Sequence, residues 1–221
     1  TAASATAASA TAAAATAASA DAKINALVTA TADYVVAGSF GSTTVKVDAG
    51  ADARDVAQSF NLSAGTTGIT ASAITKANIT AISAADTFSF TLKGKSSTAS
   101  TVNATVTSAT NLTSLKDAIN SVAGATGITA SLTQDLSGIN LVQQDGYDIV
   151  IGGVDSASTG TMSVAAATKA GVTQGTAVAL GGTTTTDSIG IIGQISLSSH
   201  KAFTVTPGVN TNHFSAAATA I

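Results

Sequence analysis

Three groups of residues carry side chains that could do chemistry: Ser198 and Ser199 beside His200, His200 with His213, and Asp145, Asp148 and Asp155. Serine next to histidine is the material of nucleophilic acyl transfer, in which an imidazole takes the hydroxyl proton. Neighbours along a strand point to opposite faces, however, and no nucleophile-elbow pattern surrounds the pair. The two histidines stand thirteen residues apart across Pro207 and Gly208, which is no recognised metal-ligand spacing. The three aspartates have the hard oxygens that calcium favours but lack the Asp-x-Asp-x-Asp-Gly order, and aspartate commonly caps turns. The serines and histidines are therefore read as solvated or hydrogen-bonded groups and the aspartates as turn caps, and no catalytic, cofactor or metal residue is assigned.

Composition excludes further classes. The chain has 221 residues, a net charge of −3 and only 10% charged residues. Every acidic residue is Asp, and the one arginine is Arg54. Ion-pair networks are thus excluded as a main source of stability. The few lysines, scattered from Lys23 to Lys201, form no basic stripe that would release counterions from a nucleic acid. Cysteine is absent, which removes disulfides and thiolate metal sites. No run of eighteen strongly apolar residues and no basic leader occurs, so neither a membrane span nor a signal peptide is expected. An aromatic carbohydrate platform is a weak alternative, with Tyr34, Tyr147 and six phenylalanines but no Trp.

The elements that must position these residues are short. Residues 1–20 repeat Thr-Ala-Ala-Ser-Ala four times, with Ala14 in place of Ser in the third copy. Such low complexity gives no stable apolar stripe on a helix and reads as a linker or an artefact. Tyr34–Gly38 and Ser42–Val47 read as strands. Asp52 is placed to cap a helix, with Asp55 in its first turn, Val56 and Phe60 on one face, and a stop after Asn61. After Gly65 and Gly68, Ile69–Ile74 reads as a strand.

The same device returns fifty-nine residues later without a gap. Asp52 becomes Asn111, Val56 and Phe60 become Leu115 and Ile119, Asn61 becomes Asn120, and Gly65 becomes Gly124. Thr67–Ser72 recurs unchanged as Thr126–Ser131. Coincidence of a six-residue identity with matched cap and core positions marks a duplication. The second copy adds strands at Asp86–Leu92 and Ser100–Val106 before its helix. Behind the helix come strands at Gly127–Thr133, Gly138–Val142 and Tyr147–Ile151, the last two joined through the tight-turn pair Asp145-Gly146. One helix should cover one small sheet. Gly152-Gly153 and Gly181-Gly182 read as turn glycines. Thr161–Val164, Ala177–Leu180 and Ile189–Ile192 read as strands completing a sheet, and the apolar stretch Ile189–Leu197 must be paired or buried to avoid aggregation.

The stretch from Asp86 to Gly152, with Asn111–Ser121, Thr126–Ser131 and Asp145–Ile151, resembles the flagellin hook IN motif, whose Ile-Asn pair matches Ile119-Asn120. Residues 49–72 are similar to a diverged copy with Phe60 at the Ile position. Gly193–Val205 is more weakly similar to the segment by which many flagellins return toward their core. The resemblance implies an α+β, predominantly β chain: a low-complexity segment at 1–20, an IN-like unit at 21–85, a second at 86–155 and a β-rich returning segment at 156–221. It implies a structural, non-enzymatic outer domain of the extracellular flagellar filament, with other flagellin subunits as partners in a helical homopolymer. It locates polymerisation in terminal helical regions that do not occur at either end here. The filament cap protein carries the same motif and is the alternative. Asn61, Asn78, Asn103 and Asn111 begin Asn-x-Ser/Thr triplets, but O-linked glycans are the better expectation on such a surface, with Thr183–Thr186 as an exposed-looking cluster. Cofactors, nucleic acid and membrane insertion are not expected.

Overall fold

A computed structural model describes residues 3–7, 13–15, 31–182, 187–207 and 218–220. The chain is predominantly β, with three antiparallel sheets and few helices among the described residues. Two short strands, β1 (Ala3–Ala7) and β2 (Ala13–Ala15), lie within the Ala/Thr/Ser repeat. They are followed by β3 (Ala32–Ala37) and β4 (Ser42–Val47). Helix α1 (Ala53–Leu62) and the single turn α2 (Ala64–Thr67) lead into β5 (Ile69–Ile82).

The pattern then repeats as β6 (Asp86–Lys93), β7 (Ser100–Val106), α3 (Thr113–Ser121), α4 (Ala123–Thr126) and β8 (Ile128–Leu132). It continues through β9 (Ile139–Gln143), β10 (Ile149–Ser156), β11 (Met162–Ala167) and β12 (Thr173–Leu180). The chain closes with β13 (Ser188–Ile191), β14 (Gln194–Ser199), β15 (Phe203–Pro207) and β16 (Ala218–Ala220).

Strand β5 organises the largest sheet. Its first half, Ile69–Ile74, pairs with β14, and its second half pairs with β11 on one edge and β9 on the other. The sheet is ordered β1-β14-β5-β11-β12, with β9 on β5 and β8 on β9. A five-stranded sheet runs β2-β13-β10-β6-β7, and a four-stranded sheet runs β16-β15-β3-β4. Segments of the repeat therefore add edge strands, β1 on β14 and β2 on β13, where the sequence reading expected a linker.

Alternation explains the strand faces: Phe88, Phe90 and Leu92 point one way from β6 and are buried, opposite Val102, Ala104 and Val106 on β7. Two apolar cores result. One joins Tyr34, Val36, Val45, Val56, Phe60 and Ile69 to Ile195, Leu197, Phe203 and Val205. The other takes its buried residues from Ala77 to Ile191. The stretch Ile189–Leu197 is paired through β13 and β14 and mostly buried, as its aggregation risk required.

Several expectations are corrected. Strands β9 and β10 do not form a hairpin about Asp145-Gly146, because β9 has both edges occupied, by β5 and by β8. With no free backbone edge beside it, β10 crosses to the other sheet and pairs with β6 and β13. The strands around α3 consequently divide between two sheets, so that helix does not cover one small sheet. Gly152-Gly153 lies inside β10 at a register shift rather than in a turn. The helix expected to stop after Asn61 ends at Leu62, but an unexpected extra turn follows it, holding Gly65, as one holding Gly124 follows α3; the left-handed residues that end these turns are Gly68 and Gly127.

Candidate functional site

The most distinctive chemistry is a helix-end latch, formed where α3 and α4 meet β8. Ile119 is buried at the end of α3, and the next side chain, Asn120, reaches the neighbouring strand. Its Nδ2 donates to the carbonyl of Ala130 at 2.9 Å, and the Ala130 N–H donates to its Oδ1 at 2.8 Å. A primary amide thus replaces a strand partner for one residue of β8. Fully buried Thr126 adds a second link, its hydroxyl donating to Val122 O and accepting from Ile128 N–H. The Thr126 carbonyl in turn receives the N–H of Lys95 from the β6–β7 loop. Gly94 is required there because a Cβ would collide with that carbonyl oxygen.

The same geometry stands in the earlier segment. Asn61 Nδ2 donates to Ala71 O at 2.9 Å, and Ala71 N–H donates to Asn61 Oδ1 at 2.7 Å. Thr67 bridges Ser63 O and Ile69 N–H, Gly68 is left-handed, and a Cβ on Gly38 would strike the Thr67 carbonyl. The six-residue identity now has a physical content: Thr is the bridge, Gly the left-handed exit, Ile the core residue, and Ala the residue bracketed by Asn. The sequence reading assigned both Asn residues only a stop role; their place ten residues before a recurring strand was the available signal.

The caps differ between the two segments. Asp52 accepts the Asp55 N–H at 2.9 Å, as expected. Asn111 instead accepts from the N–H and hydroxyl of Thr113, two residues on, and buried Leu112 occupies the cap position of α3. The structure thus moves the expected Asn111 cap into an Asx turn.

A second polar cluster joins the N-terminus of α1 to the β9–β10 turn. Arg54 N–H donates to Gly146 O at 3.2 Å, and its guanidinium lies 4.9 Å from the centre of the Tyr147 ring. Asp148 lies here largely buried. Burial, then the nearby Asp52 charge, raises its pKa from 3.8 to about 7, against the opposing backbone N–H of Gly193. Its Oδ1 has no hydrogen-bond partner. Burial also raises the Asp52 pKa, though the Asp55 N–H bond opposes it. A different carboxylate, Asp86, is half-buried and held below its usual range by backbone N–H groups, Gly160 first.

The residues singled out for chemistry do not converge. Ser198 and His200 are exposed, whereas Ser199 is buried and accepts the Lys201 N–H. His213 and Thr183–Thr186 lie outside the described residues. Asp145 is exposed, Asp148 is half-buried with its Oδ1 enclosed, and Asp155 pairs in β10. No group of three His, Cys, Asp or Glu residues that could hold a metal occurs among the described residues. Tyr34 is fully buried, Asn78 spends its amide on Gly171 O and Thr173 Oγ1, and Asn103 is exposed on β7. No helix among the described residues is long and apolar enough to cross a membrane.

The latch connects a helix to a strand and offers no reacting group, which is architecture rather than catalysis. Residues 87–145, spanning β6 to the turn after β9, match the family model of the flagellin hook IN motif. The match supports a flagellin-type protein. A comparison of the chain with curated proteins gave no match.

Proposed function

We propose that this chain is a structural part of the bacterial flagellar filament, forming a surface-exposed outer region of a flagellin. The observation that carries this reading is the flagellin hook IN motif at residues 87–145, coinciding with a closed structural latch instead of a reactive cluster. The second latch at Asn61 and Ala71 supports a duplicated motif with copies near 49–72 and 108–131. Tyr34 and Pro207 are Cα partners on β3 and β15. The two ends of the stretch 34–207 therefore lie side by side, as an outward projection carried on one stem requires, while β1, β2 and β16 add strands to its sheets from outside that stretch. The partners in this reading are other flagellin subunits in an extracellular homopolymer, with O-linked glycans on exposed Ser or Thr. Burial of Tyr34 weakens the carbohydrate-platform alternative.

Absence of cysteine makes a direct test available. Exposed Ser97, in the β6–β7 loop, is replaced in S97C, and intact filaments are treated with a maleimide dye that does not cross membranes. Uniform labelling along the filament is the expected result. Labelling confined to the tip would move the assignment to the filament cap, and unlabelled filaments would contradict the reading.

A further inference from the structure

We propose that the contact between α1 and the β9–β10 turn is a proton-operated clasp: neutral Asp148 holds it shut, and loss of the Asp148 proton to solvent opens it while the three sheets stay paired. The inference goes beyond the filament reading and does not depend on it.

Unmet hydrogen bonds mark the place. Among the described residues, three buried side-chain atoms lack a partner: Thr75 Oγ1, Gln143 Nε2 and Asp148 Oδ1. All three belong to one corner of the molecule. Thr75 and Gln143 are Cα partners on β5 and β9, so their side chains leave the same face of the sheet. Gln143 Oε1 accepts the Tyr147 N–H at 3.1 Å, which ties its amide to the β9–β10 turn. The Gly193 N–H donates to Asp148, and a Cβ on Gly193 would strike Thr75 Oγ1. Thr75 and Gln143 are fully buried. Closing the corner therefore keeps polar atoms dry, and opening it returns water to them.

Little apolar surface opposes that opening. Across the corner a Cβ on Gly193 would meet Ala53, and one on Gly146 would meet Ala73, so the facing surfaces are backbone and single methyl groups. The polar ties are the Arg54 N–H to Gly146 O at 3.2 Å and the Arg54 guanidinium 4.9 Å from the centre of the Tyr147 ring. The flanking strands are held far better. Strands β5 and β9 pair from Thr75 and Gln143 to Ile79 and Ile139, and β10 is paired on both edges.

Charge sets the direction of the response. Asp52 caps α1 and Asp55 lies in its first turn, and both repel an ionised Asp148, whereas Lys93 on β6 attracts it. Arg54 is already engaged by Asp55 at 3.3 Å and by Tyr147. On the turn itself, Asp145 is exposed and Tyr147 lies against Arg54. An ionised Asp148 is thus pushed away from the start of α1. Burial acts in the same sense and is the larger cause of the Asp148 pKa rising from 3.8 to about 7 in the closed corner. An open corner restores the ordinary value, so the opening equilibrium should grow about tenfold between pH 6 and pH 8.

Amide exchange of the full chain, followed by NMR at pH 6 and pH 8 with intrinsic rates divided out, reads this opening. Protection of the Gly193 and Arg54 amides should fall about tenfold and stay below that of the β6 amides at both pH values. D148N keeps an acceptor for Gly193 but cannot ionise, and should abolish the fall. If D148N does not fold, D52N, which retains a good cap, should reduce the fall by removing one repelling charge. No fall in the unaltered protein, a full fall in either variant, or seam protection equal to that of β6 at both pH values would overturn the proposal.

Discussion

Asn120 and Ala130 bracket each other through two backbone-to-amide hydrogen bonds of 2.9 and 2.8 Å, ten residues apart in sequence. Both groups are half-buried, so truncating the amide leaves two main-chain groups poorly solvated. N120A should cost about 2–3 kcal/mol. The equivalent Asn61 is exposed, water can replace its bonds, and N61A should cost about 1 kcal/mol. Urea unfolding of both variants checks the ranking.

Two glycines should respond in opposite directions. A Cβ at Gly94 meets the Thr126 carbonyl, a rigid backbone atom, and G94A should lose about 2–3 kcal/mol. Gly124 sits in a helical turn with nothing within 4 Å of the added Cβ. G124A should gain about 0.5–1 kcal/mol, mainly by restricting the unfolded chain. Thermal melts of the two proteins decide the sign.

Asp148 should make stability depend on pH. Its folded pKa, raised from 3.8 to about 7, means that the folded chain holds the proton more tightly than the unfolded one. Its contribution is therefore fully present below about pH 4 and lost as pH rises through 7, a change on the order of 4 kcal/mol. Burial dominates, with Asp52 and Asp55 adding repulsion and Lys93 opposing it. D148N removes the ionisation, so the fall in unfolding free energy between pH 5 and pH 8 should largely disappear.

Asp86 acts in the other direction. It collects the N–H groups of Thr87, Ser158 and Gly160, which hold its pKa low. Its contribution is present above its ordinary pKa and is lost as pH falls through the lowered one. D86A should release the loop after β10, seen as faster proteolysis within 156–161 at neutral pH.

Local patterns in the sequence carried much of the fold. Asp52 before Val56 and Phe60 gave the cap and buried face of α1, and alternating Phe88, Phe90 and Leu92 gave the inner face of β6. Partner choice was not local. Nothing near Asp145-Gly146 reveals that β9 is already flanked by β5 and β8, since Thr75 faces Gln143 only after sixty-eight residues of chain have folded. Asp148 was read as a turn residue because its burial depends on α1 and Gly193, both distant in sequence. The Asn latch was visible only as a repeated residue, because its partner is a backbone group that every residue has.

The most direct measurement is electron microscopy of filaments from the source cells, comparing the intact protein with one lacking residues 34 to 206. Tyr34 and Pro207 lie opposite each other on adjacent strands, so the excision rejoins chain ends that are already close. The account predicts filaments that still assemble and are thinner than the intact ones. Filaments of unchanged diameter would contradict it and place this chain elsewhere than on the filament surface.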